Sequence, residues 1–117
     1  MNENRSISFR KEFRVALESR SRGLDGRSRV CARRAAAILV REYLDSKQWE
    51  MPAGNDLQII QFLANQQLSP KITSLLDLYL HKVDIDFHLP SEVDLTTSLM
   101  SLADALEIQL DLENYVR

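Results

Sequence analysis

Turn-forming residues are scarce in this chain, which has three glycines and three prolines among 117 residues. Sandwiches and barrels need many turns, so this scarcity favours long helices. Apolar residues make up 44% of the chain and charged residues 27%, a balance typical of a globular protein rather than a disordered one. The sequence therefore predicts a single mainly α-helical domain over residues 1–117, a compact bundle of about five helices. We expect residues 1–7 to be a flexible tail.

The first two predicted helices flank a turn that contains Gly23 and Gly26. Phe9, Phe13 and Leu17 recur at helical spacing, which predicts an amphipathic helix over residues 8–20. The second helix, residues 28–47, is the most apolar element. Its apolar residues, from Val30 to Leu44, cover most of the circumference and leave Arg34, Arg41 and Asp45 on the remaining strip. This pattern predicts that the second helix lies at the centre of the bundle.

The next two helices form a predicted αα-hairpin, over residues 56–67 and from Pro70 onward. Ser69 caps the second of them, and Pro70 takes its first position, where proline is favoured. The pair also has the outline of a DNA-binding helix–turn–helix, with Lys71, Thr73 and Ser74 at the start of the recognition helix. Against that reading, the turn lacks a glycine and Asp77 would repel phosphates.

Residues 82–89 alternate apolar and polar side chains, which predicts a short strand or an extended connector. A last helix is expected to start near Ser91 and to continue through residues 103–110, because that stretch is rich in strong helix formers. Alternation over residues 106–112 leaves a second interpretation open, a strand that pairs with residues 82–89.

Charge is divided unevenly along the chain. Residues 1–50 hold twelve basic and seven acidic residues, whereas residues 51–117 hold three basic and ten acidic ones. Such a division favours a nucleic-acid or acidic partner, although the two halves could instead pack against each other within one chain or between two copies. Arg10 and Arg14 share one helix face, as do Arg34 and Arg41. These four arginines form a candidate face for gripping RNA or DNA backbones without reading sequence.

The leading functional hypothesis is a non-enzymatic adaptor or regulatory module that binds a protein partner through helical surfaces and self-associates into a homo-oligomer. In helical form the C-terminal residues would carry a second apolar stripe, and such a stripe often contacts another subunit. An acidic face lies beside it. The candidate partner-binding residues are Ile108, Leu112 and Val116 on the stripe and Asp104, Glu107 and Asp111 on the acidic face.

Signals for catalysis are weak, so we expect no enzyme activity and no cofactor. The chain has no glycine-rich phosphate loop and no nucleophile motif. One alternative is a divalent metal site in the segment from His81 to His88, where Asp84, Asp86 and His88 would share one face of a strand. The competing explanation is that these residues are the solvent side of a half-buried strand.

The single cysteine, Cys31, rules out an internal disulfide, and its apolar neighbours predict a buried structural thiol. No stretch approaches ~18 apolar residues, and nothing resembles a signal peptide. We therefore expect a cytoplasmic protein without a membrane partner.

Overall fold

The computed structural model describes residues 1–80 and 95–110, which form five α-helices and no strand. The helices are α1 (Glu3–Ser21), α2 (Asp25–Ser46), α3 (Asp56–Asn65), α4 (Pro70–Leu80) and α5 (Leu95–Ala105). The predicted mainly α-helical bundle is thus confirmed. Among these helices, none is both long enough and apolar enough to cross a membrane. The segment predicted to be extended, residues 82–89, lies outside the described residues.

α1 begins earlier than the sequence pattern predicts. The side chain of Asn2 accepts a hydrogen bond from the backbone N–H of Arg5 at 2.8 Å, which caps the helix, and the carboxylate of Glu3 faces the positive end of the helix dipole. Residues 3–7, which the sequence pattern assigned to a tail, thus belong to α1. α1 ends at Ser21, just before the predicted break at Gly23, whose φ of 75° lets the backbone N–H of Leu24 bond to the carbonyl of Ser19 at 2.8 Å.

α2 is the central helix, as predicted, and it packs against each of the other four. Ala32, Ala35, Ala36 and Ala37 are fully buried, and their small side chains let the neighbouring helices approach closely. Val30 is one of the apolar residues predicted to lie in the centre of the bundle, but 44% of it is exposed. The largest buried side chains around α2 come from all five helices and include Phe9, Leu39, Ile60, Tyr79 and Leu99.

α3 and α4 form the predicted hairpin, and both helices are capped at their N-termini. Asn55 and Gln58 make a capping box at the start of α3, with side chain to backbone distances of 3.0 and 2.8 Å. Ser69 Oγ accepts a hydrogen bond from the backbone N–H of Ile72 at 3.2 Å. This bond confirms the predicted start of α4 at Pro70.

α5 ends at Ala105, so the prediction of a helix continuing through residue 110 is wrong. Glu107 adopts a φ of 61°, and the backbone N–H of Ile108 donates to the carbonyl of Ala103 at 2.8 Å. This pairing is the Schellman motif that closes many helices. It turns Ile108 back onto the core beside Ala103 instead of extending a helical stripe.

Candidate functional site

α1 and α2 lie antiparallel along most of their length. Near their connecting turn, the buried hydroxyl of Ser28 donates to the carbonyl of Ala16 at 2.8 Å. At the opposite end, Arg5 Nη1 lies 3.2 Å from Glu42 Oε2. The residues along one side of the seam between the two helices are here called the α1–α2 groove. They are Arg5, Ser8 and Glu12 on α1 and Arg27, Cys31, Arg34, Ile38 and Arg41 on α2.

One end of the groove holds an open depression of about 160 Å³, lined by Asn4, Arg5, Ser8, Ile38 and Arg41. Small-molecule pockets usually measure ~300–1,000 Å³, so this depression has room for about one side chain. Ile38 is half-buried and supplies an apolar wall.

The two arginines of this depression are already neutralised by carboxylates. Arg5 pairs with Glu42 and with Asp45. Burial opposes the charge on Arg5, but the hydrogen bonds to Asp45 and Glu42 outweigh it and raise the pKa of Arg5. Arg41 Nη1 lies 2.9 Å from Asp56 Oδ1 at the start of α3. This end of the groove is therefore close to electrically neutral and partly apolar.

The other end of the groove carries two arginines, Arg27 and Arg34, against one carboxylate, that of Glu12, and so is net positive. Arg27 and Arg34 are exposed, and neither forms an ion pair with any residue in 1–80 or 95–110. They lie seven residues apart, about two helical turns, on the same side of α2. Val30 is exposed about 100° around α2 from Cys31, so it flanks the two arginines on the side away from α1, and Leu24 in the preceding turn is 47% exposed. Two arginines of the groove thus have exposed aliphatic side chains near them in the sequence.

Cys31 lies under this surface and is 5% exposed, which agrees with the predicted buried thiol. Burial raises the pKa of the Cys31 thiol, and the adjacent Glu12 carboxylate raises it further, against the opposing charges of Arg34 and Arg27. The thiol is therefore protonated at neutral pH and is a poor nucleophile.

The structure does not bring the four predicted phosphate-binding arginines onto one face. Arg14 follows Glu12 by two residues, about 200° around α1, and so points away from the α1–α2 groove. Arg10 is half-buried on the same outer side, whereas Arg34 and Arg41 lie along the groove. Nucleic-acid binding by these residues stays a prediction, but it would have to use two separate surfaces.

The predicted C-terminal partner surface is described only in part. Asp104 and Glu107 are exposed, and Ile108 is half-buried against the core. Asp111, Leu112 and Val116 lie outside the described residues.

The sequence also predicted a metal site and a helix–turn–helix. The metal candidates His81, Asp84, Asp86 and His88 also lie outside the described residues, and the part of the chain that is described holds no group of three His, Cys, Asp or Glu suited to a metal ion. Of the three residues at the start of the helix proposed to read DNA, which is α4, Lys71 and Ser74 are exposed and Thr73 is half-buried.

Comparisons with protein families, curated proteins and solved structures find no match to this chain. The sequence patterns singled out Arg34 and Arg41 but missed Arg27, Val30 and Leu24. The seven-residue spacing of Arg27, Arg34 and Arg41 was a visible signal, since it places all three on one side of a helix.

Proposed function

We propose that this protein is a non-enzymatic adaptor or regulatory module that holds an acidic macromolecule in the α1–α2 groove. The observation that carries the proposal is the pair of exposed arginines, Arg27 and Arg34, without an ion-pair partner in the described chain and with Val30 exposed beside them on α2. Arginine is enriched at protein interfaces because its planar guanidinium binds carboxylates in a bidentate manner and its stem packs on apolar surface.

A protein partner fits this surface better than a nucleic-acid backbone does. Phosphates and sugars would satisfy the arginines but would offer little apolar contact to Val30 and Leu24. Arg5 and Arg41 add little to a phosphate footprint, since Glu42, Asp45 and Asp56 already neutralise them. A protein surface that combines carboxylates with aliphatic side chains complements both features.

The test is a matched pair of charge-reversal variants titrated with fluorescent poly-L-glutamate at low and physiological salt. Arg27→Glu/Arg34→Glu removes the proposed contacts, and we expect it to weaken binding at least about tenfold. Lys11→Glu/Arg14→Glu makes the same change in net charge on the exposed outer side of α1 and should alter affinity less than about twofold. Equal losses from the two variants would show that binding is non-specific attraction to a basic half of the molecule, and the proposal would fail.

Double-stranded DNA, titrated in parallel, separates the nucleic-acid alternative. DNA binding that exceeds polyglutamate binding, weakens steeply with salt and depends on Arg14 would favour the alternative over the groove. Self-association through the C-terminal residues and a cytoplasmic location stay predictions beside this proposal.

A further inference from the structure

We infer that the segment held in the α1–α2 groove is an acidic amphipathic α-helix of a partner protein, with one apolar side chain anchored in the depression beside Ile38. This inference rests on the proposed function and adds the shape, length and polarity of the bound segment. Its basis is the arrangement of charge and apolar surface along the groove.

The shape of the surface favours a helical occupant. α1 and α2 lie side by side and antiparallel, so a third helix can lie along the seam between them in the way that helices pack in bundles. Such helix-in-groove recognition presents anchors at i, i+3, i+4 and i+7. Residues 1–80 and 95–110 contain no strand, so within them there is no sheet edge that an extended peptide could join.

The length follows from the rise of α2. Arg27 and Ile38 are eleven residues apart, which corresponds to about 16 Å along the helix axis at 1.5 Å per residue. A partner helix that reaches both must therefore run for about three turns. This contact is short, typical of a reversible docking motif rather than an obligate interface.

The polarity follows from where the charges are compensated. At the depression, Arg5 and Arg41 are neutralised by carboxylates of this chain, so a carboxylate of the partner would gain little electrostatic attraction there. An aliphatic side chain of the partner would instead cover Ile38. Near the α1–α2 turn, Arg27 and Arg34 are exposed and have no ion-pair partner in the described chain, and they exceed the single carboxylate of Glu12, so they can bind carboxylates of the partner. The bound helix therefore carries its acidic residues towards the turn and its apolar anchor at the opposite end.

The probe is a fluorescent peptide of about 18 residues, five helical turns, with its glutamates at one end and its leucines on one face of the other end. Its control has the same composition with the leucines spread around the helix. We expect the patterned peptide to bind at least about tenfold more tightly than the control. Arg34→Glu should remove most of that affinity, whereas Arg14→Glu on the outer side of α1 should leave it within about twofold.

A second variant tests the anchor without removing a buried side chain. Ser8 is exposed at the rim of the depression, so Ser8→Leu fills the space from the α1 side and leaves Ile38 in place. We expect Ser8→Leu to weaken the patterned peptide at least about fivefold, with a melting temperature close to that of the original protein. Unchanged affinity would show that no side chain enters the depression and would overturn the inference.

The outcomes separate this inference from the proposed function. Equal binding of both peptides with dependence on Arg34, or binding of polyglutamate alone, would overturn the helical occupant and leave the acidic-partner proposal intact. If Arg34→Glu changed neither peptide binding nor polyglutamate binding, or if neither ligand bound, both this inference and the proposed function would be overturned.

Discussion

At the scale of single residues, the hydroxyl of Ser28 is a buried polar group that joins α2 to α1. It is buried and donates to the carbonyl of Ala16 at 2.8 Å. We expect Ser28→Ala to lower the free energy of unfolding by about 1 kcal/mol, because a buried hydrogen bond is lost and no charge is involved. Urea denaturation of the two proteins measures the difference.

Ser46 provides the matched control. Its hydroxyl also donates to a backbone carbonyl, that of Tyr43 at 2.8 Å, but the bond is exposed to solvent. Ser46→Ala should therefore change stability by less than about 0.5 kcal/mol. A loss for Ser46→Ala as large as that for Ser28→Ala would contradict the role given to burial.

Cys31 makes stability depend on pH in the alkaline range. Its pKa is raised in the folded protein, so the folded state binds the thiol proton more tightly than the unfolded state does. That stabilisation is complete below the unfolded pKa of about 8.5 and is lost as pH rises through the folded pKa. We expect the free energy of unfolding to fall above about pH 8.5 more steeply than in Cys31→Ala. The free energy of unfolding is measured by urea titration at a series of pH values for both proteins. If it fell equally steeply with pH in the two proteins, the thiol would not ionise in this way.

At the scale of elements, the ends of helices explain most of what the sequence did not reveal. Gly23 closes α1 in a left-handed conformation, and the pattern predicted that break correctly. α2 and α5 close in the same way, but with Gln48 at a φ of 59° and Glu107 at 61°. A glutamine or glutamate gives no sequence signal for this conformation, so α5 was predicted to run too far.

Replacing a non-glycine residue by glycine at such a left-handed helix end should stabilise the protein. Gln48 is exposed, so Gln48→Gly relieves a left-handed backbone that costs about 1 kcal/mol, partly offset by the greater freedom of glycine in the unfolded chain. We expect a net gain of about 0.5 kcal/mol in thermal or urea unfolding. Gly23→Ala is the reverse change at a φ of 75° and should cost about 1 kcal/mol, although a Cβ there meets no atom within 4 Å. If both variants moved stability in the same direction, the conformational explanation would be wrong.

Features encoded by neighbouring residues were predictable, and contacts between distant residues were not. Ser69 and Pro70 start α4 where their local chemistry requires it, and the alanines of α2 indicated its central position. The groove depends on pairs such as Arg41 with Asp56, fifteen residues apart, and Arg5 with Glu42, 37 apart. Hydrophobic periodicity places each arginine on a face of its helix, but it does not show which arginine a distant carboxylate neutralises. The distinction between the neutral and the positive end of the groove therefore required the structure.

At the scale of the whole molecule, α2 connects the parts of the bundle. α1 packs on one side of it, and α3, α4 and α5 pack on the others, with Arg33 Nε donating to the carbonyl of Tyr79 at 2.9 Å. Tyr79 in turn donates from its hydroxyl to the carbonyl of Leu95 at 2.9 Å, which joins α4 to the start of α5. The groove is formed by this same helix, so its geometry depends on the packing of the entire core.

This architecture predicts that a change on the buried side of α2 destabilises the described helices as one cooperative unit. Ala36 is fully buried, and Ala36→Leu forces extra volume into a closely packed site at a cost of about 1–3 kcal/mol. The melting temperature should fall by about 4–8 °C for each kcal/mol. Far-UV circular dichroism follows all the helices, whereas the fluorescence of Trp49 follows the end of α2, where its ring lies edge-on to Tyr43. The two probes should shift together, because a small single domain unfolds in one transition.

Val30→Leu also enlarges a side chain of α2, but at an exposed position, and should stay within about 0.5 kcal/mol of the original protein. Two separated transitions in Ala36→Leu would instead mean that part of the bundle survives without the packing around α2, and that the groove could persist when the remaining helices unfold.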